Sequence, residues 1–379
     1  MKGSMKGDMK VEQEALTCAQ CHYCRVCPVY TIVGWESVSP RGRTFLLKSK
    51  ALKDFQFDES STEEFYKCTT CGACEVVCQT SIPLIDLWEE SRAELVRSKL
   101  APLPVHERLK QAVERHWNPY GEKIEDRDAW MPEGIEFAEE GELFYFAGCT
   151  ASYRMKELAV ATVNVLSKTT EFVYAGQSEV CCGSPFLRTG QKDVARKLFL
   201  KNYQEWKRRG VKRIVTTCAG CYRTIARDYP KLAAEEGLDF NFEVIHTVHF
   251  VNELIEKGEL SLKLLDLKAT YHDPCHLGRH MGVYEEPREL IRKLGIELVE
   301  MERNRENAFC CGAGGGVKSQ FKELAMEIGI TRIREAQRMA DILISCCPFC
   351  KLHLAQASKE FSAGVKVLDL IELLERAIE

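Results

Sequence analysis

The chain has 379 residues, 28 % of them charged and 45 % hydrophobic, with a net charge of −4. That length exceeds one ordinary core and predicts two or three domains. The slightly acidic balance argues against a nucleic-acid or polybasic membrane role, and no run approaches the ~18–20 apolar residues of a membrane span.

The opening MKGSMKGDMK is charged and lacks the apolar stretch of a signal peptide. A cytoplasmic protein is expected, free or peripheral on the cytoplasmic face of a membrane. Nineteen cysteines are the outlying number. In a small secreted domain they would mean disulfides, but this chain is long and shows no export signal. Eight lie between Cys18 and Cys78 and eleven from Cys149 onward. Such clustered short spacings point to metal.

Along the first block, TFLLKSKALKDF and IDLWEESRAELVRSKL have helical spacing and few β-branched runs, so this region is predicted to be mostly α. CAQCHYCRVCP supplies Cys18, Cys21, Cys24 and Cys27, and CTTCGACEVVCQ supplies Cys68, Cys71, Cys74 and Cys78. Three thiolates at successive x2 spacing wrap one face of a cubane, while the fourth cysteine reaches across to the other cluster. By that rule Cys18, Cys21, Cys24 and Cys78 hold one 4Fe-4S cubane, and Cys68, Cys71, Cys74 and Cys27 hold a second. Two departures stand out: only two residues precede Cys27, and Gln79 stands where proline is usual. C-x2-C pairs also make zinc knuckles, although zinc sites rarely use three consecutive x2 steps. The long separation of the two motifs resembles the all-helical ferredoxin module of succinate dehydrogenase iron–sulfur subunits.

HWNPYG and WMPEG mark a connector without cysteine, and the first boundary is placed near residue 138. Beyond it, LFYFAG, RIVTTC, ATYHD and DILISC read as buried parallel strands. They alternate with helical segments such as VARKLFLKNYQEWKRR and FKELAMEIGITRIREAQRMA. This part of the chain repeats itself: Cys149, Cys181 and Cys218 recur as Cys275, Cys310 and Cys347, at offsets of 126, 129 and 129. The expected organisation is an α+β multidomain chain. It has a helical ferredoxin domain with linker over 1–138, then tandem α/β domains over 139–265 and 266–379.

Each repeat offers five thiols: Cys149, Cys181, Cys182, Cys218 and Cys221, then Cys275, Cys310, Cys311, Cys347 and Cys350. Five exceed the need of one cubane and suit an opened cluster, in which the adjacent pair supplies a bridging thiolate. Gly183, Gly312 and Gly314 follow these pairs, where a bare backbone can approach an inorganic core and offer its amides. The GAGGG run lacks the Lys and Ser/Thr of a phosphate loop. Cys346 falls outside the pattern and is read as a buried spare thiol.

These two motifs, with DPCHLGR around Cys275, resemble the CCG (cysteine-rich) domains of heterodisulfide reductases. A two-cluster ferredoxin fused to two such domains is similar to the catalytic subunit of the membrane-linked heterodisulfide reductase family, and the likeness covers nearly the whole chain. The resemblance implies two 4Fe-4S cubanes, one or two non-cubane 4Fe-4S clusters (with zinc an option in one domain), and a CoM-S-S-CoB-type disulfide substrate. It also implies a flavoprotein or b-type cytochrome partner. SVSPRGRTFLL instead resembles iron–sulfur subunits of FAD-linked lactate, glycolate or glycerol-3-phosphate dehydrogenases, which deliver electrons to a quinone or another acceptor. A zinc-bearing docking module is the third reading. The expected reactive groups are Cys149, Cys181, Cys182, Cys275, Cys310, Cys311 and His276, the last as proton donor or as a structural hydrogen-bond partner. Arg154 and Arg279 are candidates for a substrate carboxylate or phosphate, or for surface ion pairs. His246 and His249 are expected to serve as core or cap residues.

Overall fold

The computed structural model describes residues 13–378. The first block is helical, with its two cysteine loops slung between short helices. Each residue of SPRGR has a local reason. Ser39 caps the helix Pro40–Ala51 by accepting the Gly42 amide at 2.9 Å, and Pro40 occupies the first turn, where its missing N–H is no loss. Arg41 pairs with Glu36 at 2.7 Å. Gly42 is required because a Cβ there would stand 1.9 Å from the Glu36 carbonyl oxygen. Arg43 is buried and faces Cys27, whose thiol is pushed up by burial and, less strongly, pulled down by the Arg43 charge. A capping box between Asp58 and Ser61 starts the next helix, Glu59–Tyr66. The longer helices Leu84–Arg97 and Pro104–His116 follow.

After the connector come two parallel sheets. β1 (Leu143–Tyr145), β2 (Arg213–Thr216) and β3 (Glu243–His246) form the first, in the order β1-β2-β3. β4 (Lys268–Tyr271), β5 (Glu297–Leu298), β6 (Ile342–Ser345) and β7 (Lys366–Asp369) form the second, in the order β5-β4-β6-β7. The difference is small. In the first sheet Val173 bridges Phe144 in parallel, at the edge that β5 occupies in the second. The expected strands and both long helices, Lys192–Arg208 and Lys322–Gln337, are present. β3, β5 and β7 carry no strand signal in the sequence, because EVIH, EL and KVLD place charged residues in short edge strands and form no apolar run. As expected, His246 is a cap residue: its ring accepts the Val248 amide at the start of the helix Thr247–Glu256.

Cys149 and Cys218 follow the carboxyl ends of β1 and β2, and Cys275 and Cys347 follow those of β4 and β6, where the chain switches direction and parallel sheets open a crevice. The C-terminal helix Leu370–Ala377 of the second unit packs on the helix Lys156–Ser167 of the first, joined by Lys351, which reaches Glu157 and Glu372 at 2.8 Å each.

All three units meet at Arg92. Its fully buried guanidinium donates to the carbonyls of Tyr66 and Cys68 at 3.0 and 2.8 Å, of Arg188 at 2.7 Å, and of Gly315 at 3.0 Å. The Tyr66 ring lies beneath it, 4.7 Å from the cation. Replacing Arg92 with methionine strands these acceptors at ~1–3 kcal/mol each. A loss of at least ~3 kcal/mol and faster proteolysis between the units are expected, checked by anaerobic unfolding and limited digestion. Unchanged stability would show that the carbonyls find other donors.

Candidate iron–sulfur and disulfide site

The loop carrying Cys18, Cys21 and Cys24 is shaped by His22, which takes the left-handed conformation at φ 71°. It faces Cys78 across a pocket lined by all four cysteines together with Pro40, Arg41 and Thr44. Cys21 is exposed, and this pocket lies near the surface. Cys27, Cys68, Cys71 and Cys74 are buried together: burial first, then the charges of Cys68 and Cys27, push the Cys74 thiol well up, and the Cys27 thiol is pushed up to about 11. The fourth cysteine of each motif thus stands with the first three of the other.

The ten cysteines of the two repeats form a continuous thiol chain. Cys149 contacts Cys181, Cys181 contacts Cys182, Cys182 contacts Cys221, and Cys221 contacts Cys218. In the second repeat Cys275 contacts Cys310, Cys310 contacts Cys311, Cys311 lies 3.5 Å from Cys350, and Cys350 contacts Cys347. The halves join at Cys218 and Cys347, which lie beside each other. Cys310 also contacts Cys71, linking this chain to the ferredoxin loop. Cys182, Cys311 and Cys347 accept from neighbouring thiols, which holds them well below the usual thiol range, while the donors Cys181, Cys221 and Cys350 are pushed up. Two convergent sets of five sulfurs with so few counter-charges fit a polynuclear cationic centre better than free thiols. Cys346 is buried outside the chain, among Tyr271 and Asp369.

The glycines divide by neighbour. Gly183 and Gly312, both at positive φ, donate their amides to Cys181 Sγ and Cys310 Sγ at 3.4 Å each. Gly314 and Gly315 press on the ferredoxin loop: a Cβ would stand 2.7 Å from the Thr69 oxygen and 2.3 Å from the Cys68 oxygen. The GAGGG run is therefore also a docking surface between units.

His276 lies in the seam between the sets. A Cβ on Gly220 would be 3.7 Å from both Cys218 Sγ and His276 Nδ1. Burial pushes its pKa down to about 4, so the ring is neutral near pH 7, and it lies against His280 with ring centroids 4.6 Å apart and the planes tilted by 45°. His280 in turn lines a cavity of about 230 Å³ with Gly72, Glu75, Arg227 and Arg279. Arg279 donates to the carbonyls of Cys71, Glu306 and Ala308 at 2.7, 3.1 and 2.6 Å, bridging the ferredoxin loop to the second repeat. Arg154 pairs with Glu122 at 2.6 Å above the Tyr120 ring.

Several site residues carried no sequence signal. Arg127 approaches Cys149 Sγ at 3.8 Å and pairs with the buried Glu179, which also accepts the Ala147 and Gly148 amides at 2.9 Å each. Arg188 and Arg223 flank Asp228 at 2.7 and 2.8 Å beside this region. His272, one residue beyond β4, was legible in principle, since the repeats place Phe146 at the corresponding position.

Comparison with known proteins agrees with this architecture. Residues 14–82 match the 4Fe-4S dicluster domain family, and residues 143–226 and 269–355 match the cysteine-rich domain family. The chain is 38 % identical to a subunit of the "Dihydromethanophenazine:CoB--CoM heterodisulfide reductase" of Methanosarcina acetivorans, covering 96 % of this chain and 93 % of the relative. It is 33 % identical to a subunit of the "Fumarate reductase (CoM/CoB)" of Methanothermobacter marburgensis, over 95 % of this chain and 72 % of that protein. It is 32 % identical to "EtfAB:quinone oxidoreductase" of Syntrophomonas wolfei, covering 85 % of this chain but 48 % of that protein. The chain belongs to the heterodisulfide reductase family of iron–sulfur oxidoreductase subunits. Among the described residues no helix is long and apolar enough to cross a membrane.

The docking role of the glycine run is testable. Gly315→Ala should destabilise by ~1–3 kcal/mol more than Gly364→Ala, since both have positive φ but a Cβ at Gly364 meets nothing within 4 Å. Hydrogen exchange at Cys68 and Thr69 should speed up only in the first variant. Equal effects of the two substitutions would remove the docking role.

Proposed function

We propose that this chain reduces a small disulfide to two thiols, RSSR′ + 2 e⁻ + 2 H⁺ → RSH + R′SH, with electrons delivered by a redox partner. The observation that carries the reading is the contact of Cys218 with Cys347, where the two five-thiol sets face each other. A simple relay needs no second set in contact with the first, whereas a disulfide has two sulfurs to be received.

In this reading Cys18, Cys21, Cys24 and Cys78 hold one cubane, and Cys27, Cys68, Cys71 and Cys74 hold the other. Cys149, Cys181, Cys182, Cys218 and Cys221 hold one non-cubane centre, and Cys275, Cys310, Cys311, Cys347 and Cys350 hold its counterpart. Iron–sulfur clusters bound there supply one-electron carriers and iron sites that accept thiolate sulfur. Around them the chain excludes water, orients the sulfurs through the Gly183 and Gly312 amides, and sets a neutral His276 in the seam, where the ring can relay a proton, taking one on its bare nitrogen as it gives one from the other to a leaving thiolate. The Cys71–Cys310 contact supports an electron path from the ferredoxin side through the second repeat. In the same block as the exposed Cys21, the side chains of Tyr23, Val26, Trp35, Phe45 and Leu52 are also exposed, which fits docking by a flavoprotein or a b-type cytochrome. The names of the full-length relatives favour the CoM–CoB heterodisulfide as substrate.

The test is anaerobic oxidation of reduced viologen by iron-replete protein, with and without that heterodisulfide. Turnover should depend on the disulfide, be abolished in Cys310→Ser/Cys311→Ser, and survive Cys346→Ser. No turnover by fully loaded protein would overturn the reading in favour of an electron relay for a flavin dehydrogenase, and stoichiometric zinc would place a docking module in one repeat. The cluster pairing has its own check: Cys78→Ser should remove one cubane signal in electron paramagnetic resonance and spare the other.

A further inference from the structure

The two repeats hold their cysteines alike but differ at one buried position beside them. Phe146 and His272 each follow the first strand of their sheet, and each donates its backbone N–H at 2.8 Å to the neighbouring strand, to Val215 and Ile344 respectively. Both side chains are fully buried. In the first repeat a Cβ built on Gly148 would stand 3.0 Å from Cys221 Sγ and 3.9 Å from Phe146 Cε1, so the ring edge and that sulfur border the same spot. In the second, His272 lies with Cys311 and Cys350, their ligating atoms all within 4.8 Å of one another. An apolar edge beside one sulfur set is an imidazole beside the other.

The imidazole's protonation is fixed by its far side. Arg332 Nε donates to His272 Nδ1 at 3.1 Å. A guanidinium N–H has nothing to accept with and stays charged in proteins, so Nδ1 must present its lone pair. The proton of the neutral ring therefore sits on Nε2, and such a nitrogen donates a hydrogen bond and cannot bind a metal. Arg332 is itself held by the Arg303 carbonyl at 2.8 Å and by Glu335 at 2.6 Å. Nε2 is buried and meets no oxygen or nitrogen acceptor within the chain. A buried donor left open beside two cysteine sulfurs matches the sulfur of a bound centre.

We infer that His272, locked by Arg332 as an Nε2–H donor, raises the reduction potential of the centre held by the second repeat above that of the first, where Phe146 stands instead. Hydrogen bonds to ligand and cluster sulfur stabilise the added electron. The arginines beside the leading cysteine of each set act in the same direction. Arg127, beside Cys149, is neutralised by Glu179, whereas Arg279, beside Cys275 and Cys310, donates to carbonyls. With a centre held by each repeat, an electron supplied by a reduced partner through the ferredoxin side would settle first on the repeat that Cys71 touches. A second reducing equivalent would go to the first repeat, and the two together would make up the pair that disulfide cleavage consumes.

This inference rests on the reading that each five-cysteine set holds an iron–sulfur centre, and the experiment separates the two. Anaerobic redox titration of the whole protein, followed by electron paramagnetic resonance, should resolve two unequal midpoints among the centres outside the ferredoxin block. His272→Phe should lower the higher one, shifting its reduced-to-oxidised ratio at fixed potential about tenfold, or ~59 mV for a one-electron step. His272→Gln, which keeps an N–H donor, should restore most of the shift, and Phe146→His should raise the lower midpoint. An exchangeable proton coupled to the second centre should disappear in His272→Phe. Iron-replete His272→Phe with both midpoints unchanged overturns the inference, and loss of iron from the second set alone also does, since His272 would then be a ligand. Wild-type protein with iron for two cubanes only would instead overturn the underlying reading.

Discussion

One buried cation holds the arrangement on which everything else depends. Arg92 draws carbonyls from the ferredoxin block, the first repeat and the second repeat onto a single planar fork. A carbonyl that meets such a fork at hydrogen-bond distance has little freedom, because the donors are rigid and charged. Two of the pinned oxygens belong to Cys68 and Gly315, one a thiol-bearing residue and the other two residues beyond Ala313 in the run that follows the cysteine pair. Fixing the three units together therefore also fixes the distance from the ferredoxin cysteines to those of the second repeat. Tyr66 and His106 reinforce the node through Thr189 and Gly316, at 2.9 and 3.0 Å.

Function needs that rigidity because the sulfur sets touch across unit boundaries at two places. Cys71 meets Cys310 between the ferredoxin block and the second repeat, and Cys218 meets Cys347 between the repeats. Neither pair is local in sequence, and each exists only while the docking surfaces hold. On the proposed mechanism, electron transfer and two-sided capture of a disulfide both fail if these gaps open, so the buried arginines and glycines at the seams serve it without touching a substrate.

Much of this was legible in the sequence, and the limits have physical causes. The approach of Cys78 to Cys18, Cys21 and Cys24, and of Cys27 to Cys68 and Cys71, was legible from the spacing of the thiols, because cluster geometry constrains the chain locally. Duplication was legible from the offsets alone. Strand content was legible where runs such as LFYFAG and DILISC were long and apolar, and illegible for β3, β5 and β7, which lie at sheet edges with two to four residues each. Arg92 was invisible, since an arginine in LIDLWEESRAEL looks like the solvated face of an amphipathic helix. Only tertiary contact reveals that it is fully buried. Arg279 carried the opposite error of emphasis. Its place four residues beyond Cys275 suggested a substrate anion or a surface ion pair, but its N–H groups hold three carbonyls of the chain.

The glycines show how a duplicated domain diverges under this constraint. After the first cysteine pair the chain runs Gly183-Ser-Pro-Phe, and a short helix begins at once. After the second it runs Gly312-Ala-Gly-Gly-Gly, and the helix waits until Val317. The first glycine is common to both, because both must turn at positive φ and aim an amide at the preceding sulfur. The later ones belong to the second copy alone, because only that loop lies against Cys68 and Thr69, where Gly314 and Gly315 leave no room for a Cβ, and against His106 and Thr189, where Gly316 leaves none. Residues facing the metal side are held equal between the copies by the ligand geometry, and residues facing the neighbour are free to differ because the neighbours differ. His272 and Phe146 break that division: they face the sulfurs and are nonetheless unequal. Such an exception is expected only where the two centres are required to behave differently.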